Sequence, residues 1–196
     1  VTVRGRYLRF SSVLDVAAND RVHALAAALE ETRPAGIREI YPSFGSVYLE
    51  WDDGVVATDA VERLVDAALL AAPAAPVGRD VAIGVRYDGA DLDAVAAASG
   101  LDRDAATAVH AAGTYHAFCI GAAPGQPFTG PNDERLRVPR LPTPRLAVPP
   151  HAVAVAGIQT TVYPVAMPGG WNIIGTATDR VYDPHRAEPF LVAAGD

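Results

Sequence analysis

The chain has no lysine, one cysteine and one methionine among its 196 residues. Without lysine it can supply no Schiff base, no lysine nucleophile and no P-loop lysine. Cationic chemistry must come from its 16 arginines. A single thiol cannot close an intramolecular disulfide, so nothing points to an oxidising compartment, and the cytoplasm is the expected location. Positive charge is also scarce: 23 acidic residues against 16 arginines give a formal charge of −7. That balance argues against a general binder of nucleic acid or anionic membrane, both of which are met first through a positive field. Long apolar runs are missing too. The longest, Ala67 to Val77, is interrupted by Pro73 and Pro76 and is far shorter than the ~20 residues a membrane-spanning helix requires. The N-terminal VTVRGRYLRF alternates arginine with apolar residues and lacks the apolar core of a signal peptide.

No Walker loop, zinc-ligand cluster or serine-nucleophile elbow occurs. The histidines, His23, His110, His116, His151 and His185, are scattered, and none pairs with Cys119 at a metal-like spacing. No metal site is expected. What the chain does have is apolar material: 50% of its residues are hydrophobic, enough to bury a real core.

Proline divides the chain. Four of the 16 lie in residues 1–123, ten lie between Pro124 and Pro168, and two follow. In the first part, Val3 to Val13 reads as a strand, and Asn19 is placed to cap a helix running to about Glu31 with Val22, Leu25, Ala26 and Leu29 on one face. Ile37 to Ser43 and Ser46 to Trp51 suggest a hairpin about Gly45. Thr58 or Asp59 starts a helix with Val61, Leu64, Val65, Ala68 and Leu69 as its apolar stripe. Arg79 to Tyr87 alternates again. The order β-α-β-β-α-β predicts an α+β protein with a ferredoxin-like domain over residues 1–88, followed by a second domain over 89–196.

That second domain opens with two short helical segments, within 91–112, on either side of Gly100. Their spacing also fits a helix-turn-helix, but its second helix would offer Asp102 and Asp104 with only Arg103 to a nucleic acid, an electrostatically poor face. A helical hairpin packed on the protein is the simpler expectation. Beyond Thr114, short β-rich runs set among prolines and glycines suggest a compact barrel or sandwich. The span from Gly121 to Pro150 is too long for an idle connection and is expected to be a structured loop.

Two segments in this half carry chemistry. In LRVPRLPTPRLAVPP, Arg140 and Arg145 each follow a proline, which stiffens the backbone that presents the guanidinium. Such forks suit a carboxylate or phosphate; equally, they could pair with nearby acids such as Asp133 and Glu134. In AGIQTTVYPVAMPGGWNIIG, Gln159 and Thr160 precede Pro168, Gly169, Gly170 and Trp171. The glycines permit close approach and the indole offers a flat wall with a donor at its edge. A ligand site and a tight turn stabilised by tryptophan packing both fit this pattern.

Taken in order, His110 and Tyr115, PGQPF at 124–128, PRLPTPRLAVP, AGIQTTVYP, PGGWNIIG and the terminal PFLVAAGD, together with YPSFGSVYLEWD in the first half, resemble the allophanate hydrolase subunit 1 family. That family also contains the B subunit of the bacterial 5-oxoprolinase and the sporulation-kinase inhibitor KipI. The resemblance implies a ferredoxin-like domain followed by a cyclophilin-like β-barrel. It also implies a second subunit of related barrel fold, the pair corresponding to the carboxyltransferase region of urea carboxylase. In the oxoprolinase a third, lactam-utilisation subunit joins them, and ATP hydrolysis drives opening of 5-oxoproline to glutamate. A chain of this kind is expected to be inactive alone, with ATP entering through the complex.

The same resemblance gives His110, Tyr115, Pro124, Gly125, Arg140, Arg145, Gln159, Thr160, Gly169, Gly170 and Trp171 as candidate site or site-shaping positions. Arg140 and Arg145 would anchor an anion, Gln159 would orient a carbonyl or amide, and His110 would carry acid/base work. Several positions depart from the family pattern. Ala122, Gln126 and Thr129 replace larger apolar or aromatic residues, His151 and Ala152 replace glycine and serine, Thr161 replaces a glycine, and Thr176 stands at a usual arginine. A subunit acting on allophanate, or a noncatalytic inhibitor docking on a kinase, are the other functions the family allows.

Overall fold

In a computed structural model of the protein, residues 2–71, 75 and 77–196 are described. Pro73 and Pro76 lie outside them. The chain forms two units, Val1–Val77 with Gly195, and Gly78–Ala194 with Asp196.

The first unit runs β1 (Val3–Arg9), α1 (Val16–Glu31), β2 (Ile37–Pro42), β3 (Ser46–Asp52) and α2 (Thr58–Ala71). Its strands form an antiparallel sheet in the order β1-β3-β2. Val22, Leu25 and Leu29 of α1 and Val61, Val65 and Ala68 of α2 pack with Val47, Leu49 and Trp51 of β3 in one core. The three-and-four spacing read from the sequence is the buried face.

The cap is not where it was expected. Asp15 accepts from Ala18 N at 2.9 Å and starts α1. Asn19 lies a turn further in and is fully buried. Its Nδ2 donates to the carbonyls of Ser43 and Phe44 at 3.1 and 2.9 Å, so it fastens the β2–β3 turn to the helix. Asparagine and aspartate are both good caps, and the tertiary acceptors decided between them.

Arg79–Tyr87 also departs from expectation. Among the described residues the first sheet has three strands, and the run instead contributes β4 (Val85–Arg86), which pairs with the second unit's sheet. Ile83, Val85 and Tyr87 pack on that unit's core, and Arg79 is anchored to Asp196 at 2.6 Å. Alternation specifies a half-buried strand; it does not say which sheet buries it.

The second unit continues with α3 (Leu92–Ala98), α4 (Arg103–Ala111), β5 (His116–Ile120), β6 (Pro127–Gly130), β7 (Arg145–Val148), β8 (Ala152–Ala156), β9 (Gln159–Val162), β10 (Met167–Gly169) and β11 (Asn172–Ala177). Six strands form an antiparallel sheet in the order β4-β11-β8-β9-β6-β5, and β7 pairs with β10 in a separate ribbon. The segment between Gly121 and Pro150, expected as a loop, therefore holds two strands and a 3-10 turn at Glu134–Leu136. α3 and α4 form the expected hairpin about Gly100, whose φ is +67°. Leu92, Val95, Ala96 and Ala106 bury that hairpin against the sheet, and Arg103 pairs with Asp93 at 2.6 Å and donates to the Tyr87 carbonyl at 2.9 Å. The one arginine of the would-be recognition helix is thus engaged within the fold.

β8 organises this unit. Its sequence, AVAVA, is buried throughout, as a strand covered on both faces should be. Val153 and Val155 belong to the core shared with the helices, while Ala152, Ala154 and Ala156 belong to a second core with Val148, Tyr163, Trp171 and Ile173. One face of the sheet therefore meets helices, and the other, built on three alanines, meets aromatic side chains.

Candidate functional site

The strand pairing distributes the candidate residues between these two faces. Cross-strand partners share a face and successive residues alternate. Gln159 pairs with Ala156, Thr160 with Val155 and Thr161 with Ala154. Gln159 and Thr161 consequently lie on the alanine face, and Thr160 lies on the helix face between them.

On the helix face, His110 is 5% exposed. Its Nδ1 lies 2.8 Å from the Tyr87 hydroxyl and its Nε2 3.1 Å from Thr160 Oγ1. The direction of these bonds follows from the far end. Asn132 Nδ2 donates to the Gln159 carbonyl at 2.9 Å, so Asn132 Oδ1 faces Thr160 and can only accept. Thr160 therefore gives its proton to Asn132 Oδ1, at 2.6 Å, and must accept from His110 Nε2–H. Nδ1 is then the acceptor for Tyr87 O–H. The result is a one-way chain, Tyr87 to His110 to Thr160 to Asn132 to the β9 backbone. Tyr115 joins it by donating its hydroxyl to the His110 carbonyl at 2.6 Å, with the two rings 5.3 Å apart. Burial among neutral groups holds the His110 pKa down to about 4, and burial raises that of the Tyr115 hydroxyl.

On the alanine face, Trp171 and Tyr163 are buried, and Phe128 meets the indole edge-on at 5.7 Å. The Arg140 guanidinium lies over the Trp171 ring, 5.6 Å from its centroid. Arg140 is exposed and forms no ion pair among the described residues. Arg145 is committed: Nη2 donates to Asp91 Oδ1 at 2.6 Å and Nη1 to the Trp171 carbonyl at 3.4 Å, while Asp91 Oδ2 accepts from Ile173 N at 2.6 Å. Asp133 and Glu134, the acids suggested by proximity in sequence, instead bind Arg135 and Arg137. Both Arg140 and Arg145 favour the ionised form of the Tyr163 phenol, although burial dominates and raises its pKa.

Gly169 lies in β10 in register with Arg145. A Cβ there would run into the Tyr163 hydroxyl, so glycine is required by close approach. The Gly170 carbonyl accepts from Leu141 N at 2.7 Å, which ties the Arg140 segment to the tryptophan turn. Pro124 is exposed at the tip of the β5–β6 turn, and Gly125, at φ +73°, turns the chain so that Gln126 enters the interior. Gln126 is 2% exposed.

The structure thus gathers Arg140, Arg145, Gln159, Gly169, Gly170 and Trp171 about the alanine face, while His110, Tyr115 and Thr160 lie on the other. This placement does not supply the acid/base role expected of His110. The sheet separates its ring from Gln159 and Arg140, and both of its nitrogens are engaged. Asp91, Asn132, Gln126 and Tyr87 are the residues that sequence reasoning did not select for the site. Of these, Gln126 carried a signal, as a polar residue where the resemblance implies a larger apolar or aromatic one. His151 has φ +67°, in the left-handed region that favours glycine, in keeping with the glycine that the resemblance implies at that position.

Among the described residues no group of three or more histidines, cysteines and carboxylates is arranged to hold a metal ion, and no helix is long and apolar enough to cross a membrane.

Residues 3–192 match the family model of the carboxyltransferase domain, subdomain C and D. The chain is 34% identical over 207 residues to the B subunit of 5-oxoprolinase from Bacillus subtilis, covering 96% of this chain and 85% of that protein. It is 40% identical over 144 residues to the protein of the same name from Escherichia coli O157:H7, covering 72% and 66%. Among solved structures, TTHA0988 superposes with a TM-score of 0.90 at 46% identity over all of this chain, which spans only 39% of that polypeptide. Urea amidolyase of K. lactis shares the fold at a TM-score of 0.77 and 16% identity, over 98% of this chain and 14% of that one.

Proposed function

Because the chain belongs to the carboxyltransferase domain, subdomain C and D, family, we propose that it acts as the B-subunit component of a 5-oxoprolinase-type complex that opens a lactam, 5-oxoproline, to glutamate with ATP. The observation that carries this reading is that the alanine face holds both the Arg140 guanidinium, which lies over Trp171 without an ion pair among the described residues, and the side-chain amide of Gln159, whose buried Nε2 has no hydrogen-bond partner among them. A guanidinium suits the carboxylate of 5-oxoproline and an amide N–H suits its ring carbonyl. Arg145, neutralised by Asp91, shapes the site rather than meeting the anion.

Among the described residues, the starts of α1, α4 and the 3-10 turn do not suit the phosphates of ATP. A phosphate cradle uses free N–H groups at a helix start, and here Asp15, Asp102 and Asp133 accept from those groups at α1, α4 and the 3-10 turn. Their negative charges repel a phosphate, and lysine is absent. In our reading the nucleotide belongs to another subunit, and the partners are a second carboxyltransferase-like barrel subunit and a lactam-utilisation subunit.

The test is co-purification with those partners followed by ATP-dependent release of glutamate from 5-oxoproline. Replacing Arg140→Gln should raise KM at least about tenfold, the worth of one charge-assisted hydrogen bond. A stable, correctly assembled complex without turnover would refute the proposal.

A further inference from the structure

Gln126 holds an acceptor that the fold leaves unused. Its Nε2 donates to Thr161 Oγ1 at 3.3 Å. The Thr161 hydroxyl spends its own proton on the Pro127 carbonyl at 2.7 Å, so Oγ1 can only accept from Gln126, and the orientation of the amide is set. Oε1 therefore points away from Thr161, is buried, and has no hydrogen-bond partner among the described residues. A buried carbonyl oxygen without a donor is costly, and native proteins keep few of them without a use.

Thr161 and Gln159 are two residues apart on β9 and face the same side, so the Gln126 amide lies about 7 Å along the strand from Gln159. Gln159 Nε2 is likewise buried and without a partner among the described residues. Beneath both, β8 presents only alanine methyls. Among the described residues the alanine face thus carries an unsatisfied acceptor, Gln126 Oε1, an unsatisfied donor, Gln159 Nε2, and, at Trp171, a guanidinium without an ion pair. In a five-membered lactam the ring forces the amide to be cis, so its N–H and C=O lie on adjacent edges. A peptide bond, being trans, presents them on opposite sides.

We infer that Gln126 accepts the ring N–H of the substrate, so that Gln126, Gln159 and Arg140 together read a cyclic amide bearing a carboxylate. The inference deepens the lactam reading above and rests on it. Gln126 is then a specificity-determining residue that separates a lactam from its oxygen analogue, because a lactone places a ring oxygen against Oε1 and leaves two acceptors facing each other.

The experiment compares dissociation constants of 5-oxoproline and of its lactone analogue, in which oxygen replaces the ring N–H, by calorimetry on the assembled complex. Wild type should favour the lactam at least about tenfold, the cost of an unmet buried acceptor. Gln126→Leu should bring the two constants within about twofold by weakening the lactam alone. Thr161→Val, which frees the amide to turn over, should reduce the ratio as well, and it provides the readout if Gln126→Leu does not fold. A folded Gln126→Leu or Thr161→Val complex that retains the wild-type ratio overturns the inference. Equal binding of both compounds by a wild-type complex that turns over 5-oxoproline overturns the Gln126 assignment while leaving the lactam reading intact. Binding of neither compound overturns both.

Discussion

His110 should make the second unit sensitive to acid, with a sign and size fixed by its surroundings. Its ring is buried, and Tyr87, Tyr115, Thr160 and Asn132, the polar groups around it, are neutral near pH 7. Among the described residues no carboxylate hydrogen-bonds to or pairs with the ring. The folded ring titrates at about 4, against the ordinary 6.5. Between those values the unfolded chain holds the extra proton and the native one does not, so stability rises with pH across that window and is lost as pH falls through it. At 1.36 kcal/mol per pH unit, the difference comes to about 3 kcal/mol between pH 7 and pH 4.

Urea unfolding across this range measures the effect. The two tryptophans lie one in each unit, so a Trp51→Phe background leaves Trp171 as the reporter of the unit that contains His110. In a His110→Phe variant the baseline stability drops but the pH dependence flattens by about 3 kcal/mol. Carboxylates that titrate near pH 4 contribute equally to both proteins and cancel in the comparison. A variant that keeps the parent's pH dependence, or a His110 ring that titrates near 6.5 by NMR, would refute the reasoning.

Two further substitutions probe the faces separately. Thr160→Val strands the His110 Nε2–H donor and the Asn132 Oδ1 acceptor and should cost about 2–5 kcal/mol, whereas Thr160→Ser keeps the hydroxyl and should cost about 1 kcal/mol for the lost methyl; equal losses in urea unfolding would show that the chain is not continuous. Gly169→Ala drives a methyl into the Tyr163 hydroxyl and should cost about 1–3 kcal/mol, part of it recovered in Gly169→Ala/Tyr163→Phe, where the ring carbon Cζ still stands 2.9 Å from the new methyl. Absence of recovery would mean that the clash is not the cause.

Local pattern made much of this legible. The stripes of α1 and α2, the β2–β3 hairpin and the α3–α4 hairpin all follow from periods of 3.6 and 2 read with their turn glycines. Properties that depend on distant partners were not legible. Asn19 is a good helix cap in isolation, yet its acceptors are Ser43 and Phe44. Arg79–Tyr87 has the alternation of a strand, yet the sheet that receives it is set by Ala177 and Thr176. Proline framing marked Arg140 and Arg145 alike, and only the fold distinguishes the free guanidinium from the one held by Asp91, 54 residues away.

The sequence Gln159-Thr160-Thr161 shows why a contiguous motif should not be read as a contiguous site. In a strand, neighbours project to opposite faces, so two of these side chains face the alanines and the middle one faces the helices. The two faces are nonetheless mechanically joined, because all three residues share one backbone. Thr160 is held by His110 and Asn132, Asn132 also grips the Gln159 carbonyl, and Thr129 Oγ1 donates to the Thr160 carbonyl at 3.0 Å. A bond network on the helix face therefore fixes the strand from which Gln159 and Thr161 project on the other. His110 and Arg140 can belong to the same functional pattern without meeting the same ligand: the first holds β9 in register, and the second stands where an anion can reach it.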